Sequence, residues 1–196
     1  MADGDVLMSP EERARRIRLF LMDVDGTLTD GTILILPDGE ELKSFNVRDG
    51  MGILMARQAG LKTGVISGKT SRVLAKRAER LRLDEVHQGI QDKKQVLEEV
   101  MRRHNLTWEE VAFIGDDLGD LEVMKRVGLA AAVADAHPLV KKTSHYICKN
   151  RGGRGAVREF IEFILTAQGK MENLEEKVKA LLAMPPGEAK KPGENK

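Results

Sequence analysis

The sequence has few of the features that would tie a protein to an oxidising compartment, a membrane or a polyanion. Its 196 residues include one cysteine, Cys148, which excludes an intrachain disulfide and fits a reducing compartment. Its 32 Lys and Arg residues balance 31 Asp and Glu residues, so no global field attracts nucleic acid or an anionic membrane. The N-terminus is acidic, and its short apolar run contains Arg18, unlike a signal peptide or a membrane span. We therefore expect a soluble, cytoplasmic protein in which any anion binding is local.

The distribution of apolar residues predicts one folded domain between two loosely held ends. Residues 1–12 are polar and are expected to form a flexible arm, and residues 13–170 are expected to form the domain. Residues 171–196 begin with a helical pattern and end in a Lys/Glu/Gly/Pro-rich stretch, which predicts a helical segment followed by a disordered tail.

Strand-like apolar runs alternate with segments of helical periodicity, which predicts an α/β fold with a doubly wound, Rossmann-like parallel sheet. The predicted strands are residues 17–24, 62–66, 85–87, 111–114, 129–133 and 145–148. After the first strand, residues 32–36 and 41–45 flank a Pro-Asp-Gly turn and predict a β-hairpin. Because residues 33–36 are apolar on both faces, the hairpin is expected to contact another subunit, or otherwise to overhang the end of the first strand.

Polar side chains follow four successive predicted strands. Asp23 and Asp25 end the first, Ser67 follows the second, Lys93 opens the helix after the third, and Gly115-Asp116-Asp117 follows the fourth. Ligands of open α/β sheets bind at the carboxyl ends of the strands, so the fold itself would bring these clusters together. Each cluster alone has a structural explanation, as a turn, a helix cap or a solvated charge. Their joint occurrence at one sheet edge predicts an active site.

The segment Asp23-x-Asp25-x-Thr27-Leu28-Thr29 resembles the first motif of the haloacid dehalogenase superfamily of phosphotransferases. The resemblance implies that Asp23 attacks phosphorus and that Asp25 serves as acid and base. A carboxylate approaching a phosphate dianion is repelled, which calls for Mg²⁺ between them. We assign Asp23, Asp116 and the backbone carbonyl of Asp25 as its ligands.

The remaining clusters match the later motifs of the same superfamily. Ser67 would hydrogen-bond a phosphoryl oxygen, and Lys93 would neutralise charge on the phosphoryl group and on Asp23. Asp120 matches the outer acid of the fourth motif and is a secondary candidate for orienting a metal-bound water, and Asp117 is a further secondary candidate.

A receiver-type signalling domain is the alternative from a different functional class, because it also gathers acids, a hydroxyl and a lysine around a phosphorylated aspartate. Receivers carry that aspartate after an internal strand and need no acid or base two residues later. Asp25 therefore favours the phosphatase.

Longer motifs resemble the 3-deoxy-D-manno-octulosonate 8-phosphate phosphatase family over residues 19–170. They are Asp23-Val24-Asp25-Gly26-Thr27-Leu28-Thr29-Asp30-Gly31, Phe45-Asn46-Val47-Arg48-Asp49-Gly50, Gly115-Asp116-Asp117-Leu118, Val133-Ala134-Asp135-Ala136-His137-Pro138 and Gly152-Gly153-Arg154-Gly155-Ala156-Val157-Arg158-Glu159. The resemblance implies a Mg²⁺-dependent homotetramer in lipopolysaccharide-sugar synthesis, without a cap domain, whose hairpins meet between subunits and whose C-terminal segment reaches a neighbour's site.

The resemblance also implies which residues contact the sugar acid phosphate. The set comprises Asp25, Asn46, Val47, Arg48, Asp49, Gly50, Lys69, Arg77 and Lys93, with Arg154 as a secondary anion contact. Two positions differ from the family pattern, because Leu54 and Lys69 stand where arginine is expected. The exact sugar therefore stays open: a nine-carbon sugar acid phosphate is the first alternative, and a broad range of sugar phosphates is the second.

Overall fold

The computed structural model describes residues 8–172 together with residues 174, 176, 178 and 179. Six parallel strands form one sheet in the order β5-β4-β1-β6-β7-β8. They are β1 (Leu19–Met22), β4 (Lys62–Ile66), β5 (Glu85–His87), β6 (Val111–Gly115), β7 (Leu129–Ala132) and β8 (Tyr146–Ile147). The predicted parallel sheet is confirmed, with β1 at its centre between β4 and β6.

The hairpin is a separate antiparallel pair, β2 (Leu34–Ile35) and β3 (Glu41–Leu42). Its strands are much shorter than the predicted five-residue arms, and beyond them the Leu36 N–H donates to the carbonyl of Glu40 across the turn. Its apolar side chains remain outside the core of the chain: Leu34 is 56% exposed and Ile35 is 69% exposed.

Before, between and after the strands of the described part of the chain lie α-helices. They are α1 (Pro10–Ala14), α2 (Val47–Gln58), α3 (Arg72–Leu81), α4 (Lys93–His104), α5 (Leu121–Met124), α6 (Pro138–Thr143) and α7 (Ala156–Ala167). Helix α7 packs against α1 and α2, and α5 packs between α4 and α6. None of the helices in the described residues is long and apolar enough to cross a membrane.

The core lies on both sides of the central strands. Phe20 of β1 and Phe160 of α7 are fully buried and meet edge to face, with ring centroids 5.6 Å apart. Phe113 of β6 is likewise fully buried. Strand β1 is buried at all four positions, as expected for a central parallel strand covered on both faces.

The predicted domain bounds stay a prediction. Helix α1 begins within the predicted N-terminal arm, where Ser9 and Glu12 form a reciprocal capping box. Leu174 is buried. Most of the predicted C-terminal helical segment and the whole tail after Lys179 lie outside the described residues.

The loop before α7 lies directly on the loop that follows β1. The Gly153 N–H donates to the carbonyl of Thr27 at 2.9 Å. A Cβ atom on Gly152 would lie 1.7 Å from the carbonyl oxygen of Gly26, so no other residue fits there without movement. This close approach of two backbone segments thus requires glycine at position 152.

Candidate active site

The predicted catalytic clusters converge at the carboxyl ends of the central strands. Asp23 follows β1, Ser67 follows β4 and Asp116 follows β6, on three adjacent strands. Lys93 is the first residue of α4, and its ammonium contacts Asp23 and lies 2.7 Å from the carboxylate of Asp120. The shared sheet edge expected from the sequence is therefore the place where these side chains meet.

Three carboxylates form a compact oxygen cluster. One oxygen from each of Asp23, Asp116 and Asp120 lies within 4.8 Å of the others, and the side chains are buried or half-buried. Hard carboxylate oxygens at this spacing are the ligands that Mg²⁺ prefers, so the residues present fit that cation. Asp120 belongs to this cluster, although the pattern of strand ends had singled out Asp23 and Asp116 as the side-chain ligands.

Burial and mutual repulsion determine the protonation behaviour of the cluster. Burial first, and then the charge of Asp120, raise the pKa of Asp23 well above its ordinary value, against the opposing effect of Lys93. The same two causes raise the pKa of Asp116 to about 6. Burial opposes the charge on Lys93, but Asp23 and Asp120 outweigh it, so the pKa of Lys93 is raised. Without a cation, the cluster therefore binds protons more tightly than isolated carboxylates do.

Asp120 organises the loop after β6 through its carboxylate. It accepts the N–H of Asp116 at 3.0 Å and that of Asp117 at 3.4 Å, in addition to the contact with Lys93. Asp117 is exposed and caps the N–H of Leu118 at 2.8 Å. Of the two secondary candidates, Asp120 thus faces the cluster and Asp117 caps the short 3-10 helix that follows it.

The loop after β1 is built by two buried threonines. The Thr27 hydroxyl donates to Asp116 at 3.0 Å, and the Thr29 hydroxyl donates to the carbonyl of Val24 and accepts from Gly26 and Gly31. A Cβ atom at Gly26 would lie 2.0 Å from the Asp116 carboxylate, and its φ of +99° favours glycine. These contacts fix the distance between the ends of β1 and β6.

Lys43, which sequence reasoning missed as a site residue, contacts Asp25. Its ammonium pairs with the Asp25 carboxylate, and the lysine side chain is only 4% exposed. Lys43 directly follows β3, so the hairpin overhangs the carboxylates as the second interpretation of its sequence expected. From the sequence alone, a lysine in the active site that follows a hairpin strand cannot be distinguished from a lysine exposed to solvent.

Ser67 and Lys69 lie at the end of β4. Ser67 is 2% exposed and accepts the N–H of Lys69 at 3.2 Å, which defines a tight turn, while Lys69 itself is exposed. The serine is therefore fixed at the sheet edge, next to the end of β1.

The residues predicted to contact the sugar acid lie around the start of α2. Asn46 caps α2 and donates its amide to the carbonyl of Gly153 at 3.1 Å. Asp49 is buried, and its two oxygens accept the N–H groups of Gly155 and Arg158 in the first turn of α7. These two side chains thus also hold the Gly-rich loop against α2.

The other predicted sugar contacts are more open. Val47 is 81% exposed. Arg77 lies across Gly50, where a Cβ atom would be 2.4 Å from its guanidinium, and stacks 5.7 Å from the ring of Phe45. Arg48 and Arg154 line one cleft, and Arg154 also pairs with Asp30 at 2.9 Å.

Comparisons with known proteins identify the family that this chain resembles. Residues 79–161 match the family of haloacid dehalogenase-like hydrolases. The chain is 46% identical to the 3-deoxy-D-manno-octulosonate 8-phosphate phosphatase of Yersinia pestis over 169 residues, which is 86% of this chain and 90% of that protein.

Solved structures of similar proteins share the fold. The Moraxella catarrhalis phosphatase of the same name, in complex with a magnesium ion, a phosphate ion and a KDO molecule, matches with a TM-score of 0.82 and 35% identity, covering 88% of this chain and 97% of that one. The cobalt-bound enzyme of Haemophilus influenzae matches with a TM-score of 0.81 and 37% identity, covering 86% and 99%.

The raised pKa of Asp116 predicts a pH-dependent response to Mg²⁺. Protons and the cation compete for the same carboxylate, so stabilisation by Mg²⁺ should be large above pH 6 and shrink as the pH falls through 6. At a hundredfold excess over its Kd, Mg²⁺ should raise Tm by roughly 5–10 °C at pH 7.5 and by much less at pH 5. Thermal unfolding with and without Mg²⁺ at both pH values checks this. Asp116→Asn should lose most of the response at pH 7.5, and equal shifts at both pH values would contradict the prediction.

Proposed function

The chain belongs to the 3-deoxy-D-manno-octulosonate 8-phosphate phosphatase family of haloacid dehalogenase-like hydrolases, and from this membership we propose that it hydrolyses that phosphate monoester in lipopolysaccharide-sugar synthesis. The observation that supports the reaction most strongly is the cluster of Asp23, Asp116 and Asp120 around Lys93 at the centre of the sheet edge. It supplies a nucleophile, a cation site and a fixed positive charge within one contact network.

Asp23 is the proposed nucleophile. One of its carboxylate oxygens forms a bond to phosphorus while the bond between phosphorus and the sugar oxygen breaks, which leaves an aspartyl phosphate and an alcohol. Lys93 touches Asp23 and would balance charge there as the phosphoryl group arrives, and Ser67 would donate to a phosphoryl oxygen. A Mg²⁺ ion held by Asp23, Asp116 and the Asp25 backbone carbonyl would supply the remaining charge neutralisation.

Asp25 is the proposed acid and base. Its carboxyl gives a proton to the departing alkoxide oxygen and, as a carboxylate, then takes a proton from the water that attacks the aspartyl phosphate. The bond between phosphorus and Asp23 breaks in this second step, so phosphate leaves and both aspartates return to their starting states.

The substrate contacts remain part of the proposal. A substrate with a carboxylate at one end and a phosphate at the other needs cations at two separated places. Arg48, Arg77 and Lys69 are the proposed substrate-binding cations besides Lys93, and Asn46, Val47, Asp49 and Gly50 complete the proposed surface. Lys69 keeps the charge of an arginine without its bidentate fork, and half-buried Leu54 carries no charge. A nine-carbon sugar acid phosphate or a broad sugar-phosphate range is therefore the alternative that the experiment must distinguish.

The substrate proposal predicts a ranking of turnover. With Mg²⁺, kcat/KM for 3-deoxy-D-manno-octulosonate 8-phosphate should exceed that for nine-carbon sugar acid phosphates and neutral sugar phosphates by at least about tenfold, a difference of about 1.4 kcal/mol in transition-state binding. Phosphate release from each ester, with and without Mg²⁺, measures it. Asp23→Asn should remove turnover of every ester while leaving the fold intact, as judged by circular dichroism. A flat profile, or a nine-carbon preference, would overturn the proposed substrate but keep the chemistry.

We propose that the active form is a cytoplasmic homotetramer in which the hairpins meet. Four apolar hairpin side chains are well exposed: Ile33, Leu34, Ile35 and Leu42. A two-stranded hairpin is marginally stable alone, and a neighbouring subunit would bury these side chains. The proposed cytoplasmic location rests on the lone, buried Cys148 and the balanced charge.

Charges in the hairpin should therefore dissociate the assembly. The double variant Leu34→Glu with Ile35→Glu should convert tetramer to monomer, because each burial that it replaces is worth about 1.5–3 kcal/mol. Light scattering after size-exclusion chromatography gives the mass. Leu139→Glu on α6, where the leucine is 51% exposed, is the matched control and should leave the mass unchanged. A wild-type monomer, or a tetrameric double variant, would contradict the proposed assembly.

A further inference from the structure

The hairpin places the ammonium of Lys43 in the proposed active site, beside Asp25. Lys43 follows β3, and its ammonium contacts Asp25 while its side chain is 4% exposed, compared with 25% for that of Asp25. Burying a lysine is unfavourable unless its charge is paired, so this contact accounts for the position of the side chain.

The two catalytic aspartates have different cationic partners. Lys93, at the start of α4, contacts Asp23 and Asp120, whereas Lys43, from the hairpin, contacts Asp25. These partners come from separate parts of the fold, helix α4 and the hairpin. Of the two aspartates, it is Asp25 that the hairpin lysine contacts.

We propose that Lys43 is a positioning residue that holds the Asp25 carboxyl group towards the leaving oxygen. This inference rests on the proposed function, because it needs Asp25 to protonate an alkoxide. The step itself is the one given above: the bond from Asp23 to phosphorus forms, the bond to the sugar oxygen breaks, and the proton of Asp25 passes to that oxygen. A carboxyl group on a strand-end loop has two free torsions. The ammonium donates to Oδ1 of Asp25, so Oδ2, which carries the proton in the acid step, is held towards the leaving oxygen.

The position of Lys43 also explains why the hairpin follows β1 directly. Lys43 lies 18 residues after Asp25, on the segment that runs from the hairpin to the start of α2. This path places Lys43 over Asp25. No cap domain covers the site in the described residues, so a side chain from this short element supplies a contact above Asp25. An ordered hairpin, and hence its proposed subunit contact, would then support acid catalysis.

The leaving group distinguishes a positioning role from the other roles that Lys43 could have. A sugar alkoxide needs a proton to depart, whereas p-nitrophenolate departs without one. The value of kcat/KM reports the steps up to transfer of the phosphoryl group to Asp23. Loss of positioning at Asp25 should therefore appear in kcat/KM for the sugar ester and be nearly absent for p-nitrophenyl phosphate.

Lys43→Met, in the full chain with Mg²⁺, is the test. It should lower kcat/KM for 3-deoxy-D-manno-octulosonate 8-phosphate about 10- to 100-fold, the range for a displaced general acid, and lower that for p-nitrophenyl phosphate less than about threefold. Lys43→Arg, which keeps the charge, should recover at least part of the loss. Lys62→Met makes the same change at an exposed lysine at the start of β4, at the opposite edge of the sheet, and should behave like wild type.

Each other outcome overturns the proposal. Equal losses on both esters mean a structural role, and a raised KM with unchanged kcat for the sugar ester means direct contact with substrate. If wild type does not hydrolyse the eight-carbon ester, the proposed substrate fails separately. The comparison then uses the aliphatic phosphate that wild type hydrolyses best, and an unchanged leaving-group preference in Lys43→Met still contradicts positioning.

Discussion

Mutual repulsion between carboxylates at one edge of the sheet is the constraint on which the rest of this structure depends. Asp23, Asp116 and Asp120 lie within contact of one another because β1 and β6 are neighbours. Lys93 offsets part of their charge, and removing one partner of such a buried pair costs about 3–5 kcal/mol. A domain is stable by about 5–15 kcal/mol, so Lys93 contributes substantially to folding in addition to its proposed role in the chemistry. The remaining negative charge is what a divalent cation neutralises.

The loops around this cluster are held by contacts from distant parts of the chain. The Gly-rich loop before α7 lies on the loop after β1, and Asp49 of α2 accepts two N–H groups from the first turn of α7. The same set of contacts includes Asn46 and Arg154, whose partners are Gly153 and Asp30. Residues predicted for sugar binding thus also connect α2 and α7 with the loop after β1. A substitution at these residues would alter that loop as well as any substrate contact.

The sequence predicted the parallel sheet and the convergence of Asp23, Ser67, Lys93 and Asp116, because the ends of parallel strands share an edge whatever lies between them. It did not predict the contact of Lys43 with Asp25, since that depends on how a short hairpin folds back over the sheet. Local patterns also overestimated the lengths of the two hairpin strands. The ends of these strands depend on hydrogen bonds made across loops, and the periodicity of the sequence carries no information about those bonds.

The formation of a covalent intermediate on Asp23 tests the account most directly. Enzyme in excess is mixed with sugar ester labelled in its phosphate, stopped with acid within one turnover, and digested for mass spectrometry. Nucleophilic attack by Asp23 predicts a transient label on the peptide that contains Asp23, formed before phosphate appears and absent in Asp23→Asn. Release of phosphate in the first turnover with no protein-bound label at any time would contradict it.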